Sequence, residues 1–167
     1  LAFDIPNQLP GMPTTGRRSQ NPCKYLLYND PLERLMDCHM EKETVNAAYA
    51  ENAERLMALA SHPAFGYIYE MYGRLCRVLS IKADMGWRLY DAYTAGDKDA
   101  LRAIATEDIP AALKELELFI KAFRKQWRVE NKTFGFMTHD IRLGGLCERM
   151  RAVAELVLDY VEGRAEK

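Results

Sequence analysis

The stretch FGYIYEMYGRLCRVLSIKADMGWRLYDAY, residues 65–93, decides the fold. Phe65, Tyr69, Tyr72, Cys76, Leu79, Ala83, Gly86, Tyr90 and Tyr93 step along it by four and three in alternation. A rhythm of 3.5 residues sustained over that length predicts one helix packed lengthwise against partners. Cys76, Ala83 and Gly86 are small enough to admit a neighbouring backbone. Gly96 stops the helix, and Asp97 caps a short one from Lys98 to about Ala105.

Reading outward toward the amino end, Val45, Ala48, Tyr49, Ala53, Leu56 and Ala60 form one stripe of a helix from about Thr44 to Ala60. Pro63 closes it, because the residue before a proline is pushed out of helical geometry. Asp30-Pro31 is a helix-start signal for a short turn over Leu32 to Asp37, and Tyr25 to Tyr28 reads as a short strand or an extended arm. Toward the other end, Pro110 fits the first turn of a helix whose stripe is Ile109, Leu113, Leu116, Ile120, Phe123 and Trp127. The run Asn131 to Met137 interrupts the pattern. A last helix carries Leu143, Cys147, Met150, Ala154, Val157 and Val161 before Gly163 closes it. Alternating strand patterns are missing, so the expected fold is all-α, an antiparallel bundle of about five helices with an irregular N-terminal arm.

With 167 residues the chain suits a single core. Its 49% apolar and 28% charged residues place it with ordinary globular domains rather than disordered chains. No apolar run approaches the roughly 20 residues that cross a bilayer, so no membrane role is expected. A net charge of -1 gives no global pull toward nucleic acid. Cys23, Cys38, Cys76 and Cys147 show no metal or disulfide spacing and read as reduced thiols, which favours a cytoplasmic setting. The start at Leu1, followed by Pro6, Pro10, Gly11, Pro13 and Gly16, suggests a piece of something longer. Residues 1–20 are therefore expected to be a linker or arm from a preceding domain, and residues 21–167 a helical domain.

Chemistry is scarce. Ferritin-like sites need Glu-x-x-His, but Met36, Leu59 and Phe136 stand three residues before His39, His62 and His139. No metal and no cofactor are expected. Neither a nucleophile elbow nor a phosphate-binding glycine loop occurs, since Gly144-Gly145 lacks the required neighbours. Lys121, Arg124, Lys125 and Arg128 make one basic stripe, read as a solvated face. A glycosidase needs opposed carboxylates, and periodicity brings no such pair together.

One segment resists a purely structural account: WRVENKTFGFMTHDIRLGGL, residues 127–146. It gathers an indole, two phenylalanines, Asp140 and Arg142 around a chain break. Paired glycines inside a helix cost about 1 kcal/mol each relative to alanine. Something must therefore come close to them, either a neighbouring helix or domain, or bound substrate; close packing is the favoured reading. Trp127, Asp140 and Arg142 are the candidate contacts, with an Arg142–Asp140 pair bracing the helix start as the plainer alternative.

Two stretches carry a resemblance. NKTFGFMTHDIRLGGLCERM (residues 131–150) and NPCKYLLYNDPLERLMD (residues 21–37) resemble the C-terminal helical domain of bacterial exo-β-N-acetylhexosaminidases of glycoside hydrolase family 20. The resemblance implies a parent enzyme that removes terminal β-linked N-acetylhexosamine from glycans. In that family the sugar's own acetamido oxygen attacks the anomeric carbon. A glutamate of a (β/α)₈ barrel is the acid, and a neighbouring aspartate orients the acetamido group. No barrel is encoded here, so no catalytic residue carries over. The resemblance implies an accessory part that covers the barrel, builds a homodimer or lends side chains to the glycan cleft. The alternatives are a free-standing helical interaction module and a small all-helical enzyme built on clustered arginines.

Overall fold

The computed structural model describes residues 26–33, 42 and 44–165. The expected arm over residues 1–20, the turn residues 34–37, Tyr25, Cys23, Cys38 and His39 lie outside the described residues. The helices are α1 (Val45–Met57), α2 (Gly66–Lys82), α3 (Met85–Ala95), α4 (Lys98–Ala103), α5 (Ile109–Glu130) and α6 (Phe136–Val161). A π turn, Ile104–Asp108, joins α4 to α5 without a gap, so these elements form five helical rods among the described residues, beside the short helical turn at 26–28. No strand occurs among the described residues, and Leu26 to Tyr28, read as strand or arm, are helical. None of the described helices is long and apolar enough to cross a membrane.

Side-chain pairs give the helix directions. Arg77 on α2 meets Glu54 on α1, and Gly73 lies against Met57. Along α2, Tyr67, Glu70 and Arg74 meet Glu130, Lys125 and Glu115 of α5 in descending order. Arg124 and Glu117 of α5 meet Asp140 and Arg151 of α6. Each of these three contacts is antiparallel. Between the helices the core is filled by Cys76, Val78, Leu79, Met85, Ile109, Leu116, Leu143, Met150 and Val153, all fully buried. Each large side chain there contributes about 1.5–3 kcal/mol by leaving water. Burial also raises the Cys76 thiol to about 11, which keeps it protonated and inert.

Three expectations need correction. The helix expected over residues 65–93 divides at Ala83-Asp84. Arg88 holds the break together. It donates to the Ile81 carbonyl (3.0 Å) and to Asp84 (2.8 Å), and it pairs with Asp108 across the bundle. The break shifts the phase, so Met85, Leu89 and Ala92 face inward while Tyr90 and Tyr93, assigned to the buried stripe, are exposed. The first helix ends at Met57, and tight turns carry Leu59 and Ala60 onward. His62 Nδ1 then accepts from the backbone N–H groups of Ala64 and Phe65, heading α2 rather than merely ending α1. Finally, Asp97 caps α4 as expected, accepting from Ala100 N–H, but that helix runs on into α5. Pro110 has no N–H to donate and its ring crowds the preceding turn; the wider π turn accommodates it.

Candidate functional site

α5 ends where Asn131 turns extended, and α6 begins after Gly135, whose φ of 102° suits only glycine well. Trp127 spans the gap. Its indole N–H donates to the Lys132 carbonyl (2.9 Å), and its ring meets Phe136 edge-on at 5.7 Å and His139 at 5.4 Å. Phe123 packs edge-on against the same two rings. Arg124 donates twice to Asp140 (2.6 and 3.0 Å) and lies over the Phe136 ring. Two of the three candidate contacts, Trp127 and Asp140, are thereby brought into one cluster that staples the helix hairpin. The third is not. Arg142 lies two residues and about 200° further round the helix, exposed, on the side where Tyr28 sits. The Arg142–Asp140 pair does not form, because Arg124 takes that carboxylate.

Beside Arg142, the two stretches that carried the resemblance meet. Asp30 pairs with Arg149 (2.5 Å) and also accepts from Leu32 N–H (2.9 Å). Burial pushes the Asp30 carboxyl upward. The Arg149 hydrogen bond, the Leu32 N–H and the charges of Arg149 and Lys82 outweigh that and hold it below the usual range. Tyr28 is shifted up by burial, partly offset by the charge of Arg142. Lys82 lies beneath, 4% exposed, donating to the carbonyls of Asn29 (2.6 Å) and Leu26 (3.2 Å). Burial brings its ammonium down to about 8, against the pull of Asp30. A cleft of about 210 Å³ opens between Tyr28, Asp30, Gly145, Leu146 and Arg149. Sequence reading missed Arg124, His139, Asp30, Arg149 and Lys82. Each looks like an ordinary polar helix or turn residue until its distant partner is placed.

The glycines of α6 have no helix of the bundle against them among the described residues. A Cβ built on Gly144 or Gly145 meets nothing within 4 Å, so no helix of the described residues packs there. Around them Ile141 is 75% and Met137 69% exposed, and Phe134 at the hairpin tip is 90% exposed. A second, apolar groove of about 320 Å³ lies elsewhere, lined by Leu89, Tyr90, Tyr93, Leu156, Val157 and Tyr160 among others. Among the described residues lining the two clefts, Asp30 is the one carboxylate, and Arg149 already holds it. Neither of these two clefts brings a pair of opposed acids together among its described lining residues.

The family model described as the Glycoside Hydrolase 20C C-terminal domain matches residues 1–167. No curated protein matches the chain.

Proposed function

Because the chain belongs to the Glycoside Hydrolase 20C C-terminal domain family, we propose that it is the non-catalytic accessory part of an exo-β-N-acetylhexosaminidase. The parent enzyme hydrolyses terminal β-linked N-acetylhexosamine, and its catalytic carboxylates lie in a barrel that precedes this domain. Glycoside cleavage needs an acid to protonate the leaving oxygen and a second group to meet the developing oxocarbenium charge. Asp30, engaged by Arg149 and Leu32 N–H, is poorly suited to either task. The bundle serves instead by holding its hairpin and the α6 face in fixed positions against the barrel, a second copy, or the rim of the glycan cleft. The observation that carries this reading is the family match over residues 1–167.

Hydrolysis of a chromogenic β-N-acetylglucosaminide, measured on the 167-residue chain and on the parent, is the test. The parent should release the chromophore and the chain alone should not. Turnover by the isolated chain would overturn the proposal.

A further inference from the structure

We propose that the cleft between Tyr28, Asp30, Gly145 and Arg149 is a binding site for one carboxylate-bearing sugar unit of a glycan. The proposal rests on the function proposed above and names the kind of sugar that this domain holds. Arg142, Gly145 and Arg149 follow one another at three and four residues, so they stand in one row along α6. The row puts a guanidinium on either side of a bare stretch of backbone. A Cβ on Gly145 would meet nothing within 4 Å, so the floor of the cleft is open to a ring. Its volume of about 210 Å³ leaves room for a single pyranose.

Polar groups without partners converge on this floor. Asp30 uses one lone pair of each carboxylate oxygen, accepting from Leu32 N–H at Oδ1 and from Arg149 Nε at Oδ2. The two terminal nitrogens of Arg149 donate to none of the described residues. Neither the Tyr28 hydroxyl nor Arg142 has a hydrogen-bond partner among them. A half-buried hydroxyl and a guanidinium fork left in this state call for acceptors from outside. Charge decides which acceptors. At pH 7, Arg142, Arg149 and Lys82 outnumber Asp30 and Glu33 three to two around the cleft. A monoanion neutralises that surplus, and a planar carboxylate meets a guanidinium fork with two bonds. The lone pairs that Asp30 has left accept from ring hydroxyls, which acetate or phosphate lacks.

The site is held ready before any ligand arrives. Buried Lys82 donates to the carbonyls of Leu26 and Asn29, on either side of Tyr28, and so fixes the turn that carries Tyr28 and Asp30. Groups fixed in advance lose little freedom on binding.

Titration of the 167-residue chain with sodium glucuronate, followed by amide NMR shifts, tests the proposal, with glucose and acetate run in parallel at the same ionic strength. Glucuronate should give saturable shifts at Tyr28, Gly145 and Arg149. It should bind at least about tenfold more tightly than glucose or acetate, as expected for one added charge-assisted bond. Arg142→Ala removes an exposed, unpaired side chain and should weaken binding at least about fivefold. Gly145→Leu fills open space on the floor and should abolish it. Arg128→Ala, at an exposed position on α5, should bind like wild type. Acetate binding as tightly as glucuronate would overturn the sugar, and glucose binding as tightly would overturn the carboxylate. Shifts absent at Gly145, or an Arg142→Ala chain that binds like wild type, would overturn the site, while the function above stands wherever the parent hydrolyses the chromogenic sugar. A parent with no hydrolysis overturns that function, and this inference with it.

Discussion

Gly66 and Gly73 on α2 and Gly144 and Gly145 on α6 occupy helices of one bundle under opposite conditions. A methyl group at Gly66 would run into the Ala60 carbonyl oxygen, and one at Gly73 would meet the Met57 sulfur at 2.8 Å. At Gly144 and Gly145 the same methyl group meets open space. Glycine costs a helix the same conformational entropy in both places. On the sealed side, the close contact of α2 with Met57 of α1 and with the turn at Ala60 offsets that cost inside the chain. On the open side no described residue supplies that offset, and Ile141 and Met137 beside it are exposed. One residue type thus lines a tight contact in one helix and, among the described residues, an open face in another.

The contrast breaks most easily at its sealed end. Gly66→Ala should destabilise the bundle by about 2–3 kcal/mol, because the obstacle is backbone and cannot swing aside. Gly73→Ala should cost less, about 1 kcal/mol, since the Met57 side chain is flexible. Urea unfolding midpoints decide both, and an unchanged Gly66→Ala protein would mean that the turn at Ala60 does not press on the start of α2.

Lys82 sharpens the same side through pH. Folding brings its pKa to about 8 from the ordinary 10.5. Between those values the unfolded chain keeps a proton that the folded chain has released, so stability rises with pH across that window. Below it the full cost of burying the ammonium remains. The neutral amine still has two N–H groups for the two carbonyls, so nothing is lost on deprotonation. Wild type should therefore gain stability over Lys82→Met between about pH 8 and about pH 10.5. Parallel pH profiles of the two proteins would show that this lysine is not buried.

The hairpin tip should respond more weakly. Trp127→Phe keeps an aromatic ring against Phe136 but loses the indole bond to Lys132, a cost of about 1 kcal/mol in thermal unfolding. Asp140→Asn removes a half-exposed ion pair with Arg124 and should cost about 1 kcal/mol or less, falling further in high salt. A large loss from Asp140→Asn would place that carboxylate in the core of the account rather than at its edge.

Much of this was legible in the sequence because apolar stripes repeat with the helical period, and burial follows the stripe. Leu116, Leu143, Cys147, Met150 and Val157 are buried as the periodicity required. The break at Ala83-Asp84 was not legible, since neither residue opposes a helix and its stabiliser, Arg88, draws on Asp108 twenty residues away. For the same reason Tyr90 and Tyr93 were assigned to the wrong side. At the candidate site, Trp127 and the chain break announced themselves by composition. The partner of Asp140 did not, because Arg124 sits across a hairpin at a distance that no local rule fixes. Lys82 was invisible: a lysine in a helix reads as solvated until the carbonyls of Leu26 and Asn29 are seen to surround it. The glycine pair was read as a cost that close packing by a neighbouring helix or domain would offset, and among the described residues no such neighbour reaches it.

Gly144→Ala, compared in the 167-residue chain and in the parent, tests the central claim most directly. In the chain alone the methyl group meets none of the described residues, and the helix should gain about 1 kcal/mol in thermal unfolding. In the parent the same methyl group should stand between two docked surfaces and lower stability. An equal gain in both proteins would mean that nothing seats on α6.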